Sequence, residues 1–120
     1  MAFGYLVAQL ADEGKIDLDA SIATYLAKPL PEYVGEAEKF APYGHLAGDE
    51  RWRKLTPRLL LNHGSGFANF YWLNEDQKLK FHFEPGARYA YSGDGINLLQ
   101  FVLERGLGLD VEAEMQRRFF

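Results

Sequence analysis

The sequence predicts a mainly α protein, and three segments carry that reading. Phe3, Leu6, Val7 and Leu10 repeat at the spacing of one buried helical stripe. Thr56-Pro57 offers a hydroxyl N-cap followed by proline at the first helical position, where the missing N–H costs nothing; Leu59, Leu60 and Leu61 follow. Leu98, Leu99, Val102 and Leu103 form a third apolar set behind a candidate cap at Ser92 or Asp94.

In chain order, the first helix covers residues 1–14, with Gly14 as its stop because glycine tolerates positive φ. It opens on Met1-Ala2-Phe3 without a capping residue, as if the helical pattern continued upstream. Lys15 to Asp19 is a short connection, after which Asp19 or Ser21 caps a short helix through Ile22, Tyr25 and Leu26. Pro29, Pro31, Gly35, Pro42, Gly44 and Gly48 break the pattern from Lys28 to Asp49, which reads as loop and turn. The leucine helix after Thr56 is expected to end at Gly64, past Asn62-His63. Phe67, Phe70, Tyr71 and Trp72 then form an aromatic cluster. Pro85-Gly86 is a turn that leads into extended Tyr89-Ala90-Tyr91, leaving room for one short hairpin over 81–91. The third helix ends at Gly106 and Gly108; Asp110 caps a last one, with Val111 and Met115 facing inward, and the sequence closes on Phe119-Phe120.

Composition bounds the function. The 120 residues amount to one domain, and 48% hydrophobic against 25% charged residues exclude a disordered chain. The net charge of −4 and pI near 5.3 give no nucleic-acid footprint. Arg51, Arg53, Lys54 and Arg58 follow Asp49 and Glu50 and read as a solvated helical face. The absence of cysteine removes disulfides, thiolate metal sites and cysteine nucleophiles. No apolar run reaches the roughly 20 residues of a membrane span, and the first ten residues lack the basic start of a signal peptide. The chain as given is expected to be soluble. Its aromatic content of 15% demands a core or a partner, so self-association through exposed apolar surface is expected.

Four stretches, in order, resemble the serine β-lactamase-like family, which includes class C β-lactamases, DD-peptidases and related esterases. Residues 5–19, from Tyr5 to Asp19, are similar to the helix and turn that follow the family's nucleophile. Leu55 to Gly66, containing His63-Gly64-Ser65-Gly66, resembles the helix that ends in His-Thr-Ser-Gly. Phe83 to Ser92 looks like the approach to the catalytic tyrosine, and Asn97-Leu98-Leu99-Gln100 like the helix after it. The resemblance implies acyl transfer: a Ser in Ser-x-x-Lys attacks a carbonyl, the Lys adjusts proton affinity and a Tyr relays the proton. It implies an α+β parent fold in which this chain, 1–120, is a single partial domain, the helical region. No cofactor is implied; the parent's substrate would be a small ester or amide.

The chain departs from that family at definite places. No Ser precedes a Lys by three positions, so Ser-x-x-Lys is absent; alignment of the first helix puts it before Met1, and the Lys-Thr-Gly-type motif past Phe120. The Tyr-x-Asn motif reads Tyr91-Ser92-Gly93. The resemblance therefore gives Tyr91 the general-base position, while Gly93 replaces the Asn that would bind a substrate amide, which makes an esterase-like or peptidase-like parent at least as plausible as a β-lactamase. Ser92, Gly93, Phe70, Tyr71 and Trp72 are the candidate substrate-binding residues.

Each candidate has a structural alternative. Tyr91 can be a strand aromatic paired with Tyr89. Ser65 does not complete a Gly-x-Ser-x-Gly elbow, because His63 stands two residues before it; a helix stop and turn is the expectation. Ser92-Gly93-Asp94-Gly95 resembles a small anion-binding turn at a helix start, and a plain helix cap is the expectation. His45, His63 and His82 have no metal spacing, and Asp17 and Asp19 mark a solvated turn. The two functions expected are an inactive piece of a serine hydrolase and a stand-alone helical module. The module's binding pocket would be lined by Phe67, Phe70, Tyr71, Trp72 and Tyr91.

Overall fold

The computed structural model describes residues 2–33 and 41–119. Helices and tight turns dominate, with almost no strand. The α-helices are α1 (Ala2–Asp12), α2 (Pro57–Leu61), α3 (Gly93–Phe101) and α4 (Val111–Phe119). Single turns of 3-10 helix at Ile22–Thr24, Leu30–Glu32, Tyr43–Leu46, Glu50–Lys54 and Tyr71–Leu73 carry most of the remaining chain. The long loop expected from Lys28 to Asp49 is thus partly helical; Gly35, like Met1 and Phe120, lies outside the described residues.

The caps follow side-chain chemistry. At the end of α1, Gly14 sits at φ +76°; its N–H donates to Ala11 O and the Lys15 N–H to Leu10 O, so two orphan carbonyls are satisfied. Ser21 Oγ accepts from Ala23 N at 3.2 Å, Thr56 Oγ1 from Leu59 N at 3.1 Å and Asp110 Oδ1 from Ala113 N at 3.0 Å. Ser92, not Asp94, caps α3, with Oγ accepting from Gly95 N at 2.9 Å. After Phe101 the helix widens into a π turn over Val102–Gly106.

Two further features differ from the sequence expectation. The left-handed residue that stops α2 is His63, at φ +62°, and Gly64 only completes the motif by donating N–H to Leu59 O. Tertiary contacts to the imidazole, described below, select that conformation. Strand pairing also forms elsewhere than within 81–91. Phe67 bridges Phe81 in antiparallel sense, His82 N donates to Gly66 O and Gly86 N to Gly64 O. Residues 87–91 are irregular, and the long-range partner outcompetes the local hairpin.

The core gathers Leu6, Val7 and Leu10 of α1, Trp52, Leu55 and Leu60, and the α3 set Leu98, Leu99, Phe101, Val102 and Leu103. Burial of that apolar area is the main stabilising term. Tyr33 meets the Phe101 ring edge-on at 5.1 Å and Tyr43 lies 5.0 Å from the same ring. α4 packs on α1, and α2 on α3. Arg118 reinforces the first pair: its guanidinium donates to Gln9 Oε1 and, in bidentate fashion, to both Glu13 oxygens. The basic group at 51–58 is neutralised rather than aligned as a patch: Arg51 pairs with Asp49 and Glu84, Arg53 with Glu50, Lys54 with Glu84 and Arg58 with Asp19.

Candidate functional site

Tyr91, Ser92 and Gly93 occupy the junction between the irregular 87–91 segment and α3. The Tyr91 side chain is 59% exposed, and its hydroxyl has no hydrogen-bond partner among the described residues. Its ring leans on the His63 imidazole, with centroids 4.5 Å apart, and Tyr89 approaches the same imidazole edge-on at 5.6 Å. His63 is fixed from its other side. Its Nδ1 accepts from Ser92 N at 3.2 Å, which places the ring proton on Nε2, and its carbonyl accepts from Ala90 N. The end of α2 and the start of α3 are therefore joined through one imidazole. A hollow of about 270 Å³, lined by Leu59, Asn62, Gly64, Gly86, Arg88 and Tyr89, opens beside Tyr89.

A second segment clips onto the start of α3. Ser92 Oγ donates to Ala68 O at 2.8 Å. Gly93 N donates to Asn69 Oδ1 and Asp94 N to Asn69 O, each at 2.8 Å. Tyr71 N donates to Asp94 Oδ2 at 2.6 Å. These bonds set Phe70 directly over Gly93, where any Cβ would strike the ring. Phe70 stacks on Trp72 with centroids 4.4 Å apart and planes 9° from parallel, and Trp72 is half exposed. The expected aromatic cluster is thus divided. Phe67 turns into the core and stacks on Phe81 at 4.6 Å, whereas Phe70 and Trp72 form an outward shelf with Tyr71 edge-on to Trp72. Phe67 cannot line a pocket with them.

The candidate hydroxyls are committed. Ser92 is fully buried and uses its Oγ in both directions, as acceptor from Gly95 N and donor to Ala68 O. Ser65 is fully buried and its Oγ accepts from Phe67 N at 3.2 Å. Ser21, the third and last serine, donates to Arg53 O at 2.6 Å. Among the described residues no three His, Cys, Asp or Glu side chains come together as a metal set, and no helix is long and apolar enough to cross a membrane.

Asn69 and Asp94 are the site residues that the sequence did not single out for these roles. Asn69 carries no local signal, because its partners lie 24 residues away or more. Asp94 had the signature of a surface cap, yet its side chain is buried, and burial pushes its carboxyl up to about 6 against the pull of the Tyr71 N–H. Burial, together with the Asp94 charge, raises the Tyr43 phenol well above its ordinary value.

The junction presents two exposed phenols, Tyr89 and Tyr91, beside the His63 imidazole and an aromatic shelf. The shelf offers an apolar surface, and the three serine hydroxyls are all engaged in hydrogen bonds to the backbone. A family model described as Beta-lactamase matches residues 2–120, nearly the whole chain, in accord with the four ordered stretches read from the sequence. The chain belongs to the β-lactamase family.

Proposed function

We propose that this chain is the helical region of a serine β-lactamase-related hydrolase, that Tyr91 holds the general-base position, and that the chain by itself does not turn over esters or β-lactams. The observation that carries the reading is the contrast between an exposed Tyr91 and three serine hydroxyls all tied into backbone hydrogen bonds. No Ser stands three residues before a Lys, so no ammonium is built in beside a nucleophile. Replacement of the amide-binding Asn by Gly93, with Phe70 over it, supports an ester or a peptide rather than a β-lactam as substrate of the whole hydrolase. The Phe70–Trp72 shelf would receive an apolar acyl or aryl group, with Tyr71, Ser92 and Gly93 shaping its base. The test is hydrolysis of nitrocefin and of a p-nitrophenyl ester by the purified chain. Rates at the buffer background are expected. Turnover that co-purifies with the protein and disappears in Tyr91→Phe or Ser65→Ala would overturn the proposal.

A second reading is a helical module that binds small aromatic or acyl compounds, or a second copy of itself, through the shelf. The half-exposed Trp72 and the exposed Leu73, Tyr89 and Tyr91 favour it. Ligand-dependent melting shifts across a panel of such compounds, and sedimentation velocity, separate it from the first reading.

A further inference from the structure

We propose that Asp94 is a proton-controlled clasp: protonated, it holds the aromatic segment 69–72 on the start of α3, and ionised, it lets that segment lift so that water reaches the carboxylate. Three of the four hydrogen bonds that attach 68–71 to α3 use only groups that do not titrate near neutrality: Ser92 Oγ to Ala68 O, Gly93 N to Asn69 Oδ1 and Asp94 N to Asn69 O. The fourth, Tyr71 N to Asp94 Oδ2, ends on an ionisable group whose residue is 1% exposed. The other carboxylate oxygen, Oδ1, is buried with no hydrogen-bond partner among the described residues, and the Tyr43 hydroxyl is in the same condition. Tyr43, on the 43–46 turn, is near enough for the Asp94 charge to raise its phenol. On the α2 side the imidazole of His63 accepts from Ser92 N, two residues before Asp94. Among the described residues no cation acts on the Asp94 carboxyl; burial raises it and the Tyr71 N–H opposes that rise.

An ionised carboxylate there has one short N–H bond and the start of a helix to stabilise it, against the loss of hydration on both oxygens. The neutral acid keeps the Tyr71 bond without that penalty. Burial places the change of state at about pH 6, so modest acidification or alkalinisation crosses it. Opening breaks the Tyr71 N bond, takes Phe70 off Gly93 and bares the backbone beside Tyr91. The clasp stands whether or not the hydrolase reading holds.

The test follows the backbone amides of the full chain by NMR from pH 4.5 to 8. The Tyr71 amide is expected to titrate with a midpoint near 6, and its hydrogen-exchange protection to fall about tenfold between pH 5 and 7.5. Asp94→Asn should leave Tyr71 protected and unchanging, and His63→Gln should leave the transition in place. A Tyr71 amide flat in the wild type, a transition that survives Asp94→Asn, or one abolished by His63→Gln would overturn the clasp. Should Asp94→Asn fail to fold, the carboxyl carbon of Asp94 in the wild type decides: a midpoint near 6 supports the clasp and one below 4.5 sinks it.

Discussion

Phe70 lies across the backbone of Gly93, and the two positions exclude each other's side chains. This contact gives the Tyr-Ser-Gly sequence a structural cause: the ring stands where the family's Asn side chain would start. Gly93→Asn should therefore overpack the junction and destabilise the fold by about 1–3 kcal/mol. Pairing it with Phe70→Ala should recover part of that loss, and chemical denaturation of the four proteins measures the coupling.

Ser92 serves α3 and Ala68 with one hydroxyl. Ser92→Ala removes the cap and leaves a part-buried Ala68 carbonyl without that donor, so a loss of about 1–3 kcal/mol is expected. A melting temperature unchanged within error would show that the cap is dispensable.

Asp94 makes stability depend on pH in the reverse of the usual carboxylate sense. Its folded value, about 6, lies above the ordinary 3.8, so the folded state binds the proton more tightly. The stability it contributes is complete below pH 3.8 and is lost as pH rises through 6. Asp94→Asn keeps an acceptor for Tyr71 N without the charge. It should be more stable than the wild type at pH 8 by about 1–3 kcal/mol, and no more stable at pH 4.

Glu13 shows the ordinary sign. The Arg118 guanidinium, with help from Lys15, holds its carboxyl down at about 2. Stability from this pair is present above pH 4.5 and is lost as pH falls toward 2. Arg118→Ala should loosen α4 from α1, lower the melting temperature by a few degrees at pH 7 and flatten the acid limb of the stability profile.

Tyr91→Phe removes a hydroxyl that no described residue binds. Its effect on folding free energy should stay within about 0.5 kcal/mol, so any change in ligand binding or reactivity in that variant would belong to the phenol itself.

The legible parts of the fold were those set by short-range chemistry. Gly14 stops α1 at positive φ as expected, Thr56 and Asp110 cap where their side chains predict, and Ser21 and Ser92 cap as one of the two candidates offered for each helix, because a side-chain cap needs partners only two or three residues away. The apolar stripes of α1 and α3 were legible for the same reason. Tyr91 was found through a resemblance, and its exposure and neighbours required the fold. What escaped was long-range. Phe67 and Phe70 are three residues apart and equally aromatic, yet one stacks on Phe81 in the core and the other covers Gly93. Only the bridge to Phe81 and the bonds to α3 decide which faces inward. Asp94 escaped because a carboxylate in a first helical turn is normally solvated, and its burial depends on Tyr43 and Tyr71.

His63 holds a backbone conformation in which glycine would be more comfortable. A selection scheme scored only by thermal endurance could thus accept glycine at that position, since local relaxation would offset the lost ring contacts. The same exchange would leave Tyr89 and Tyr91 without the surface that orients them, and near-ultraviolet dichroism from the phenols should fade while the helical signal persists. Durability and orientation are separable properties at this one residue, and screening for the first can silently erase the second.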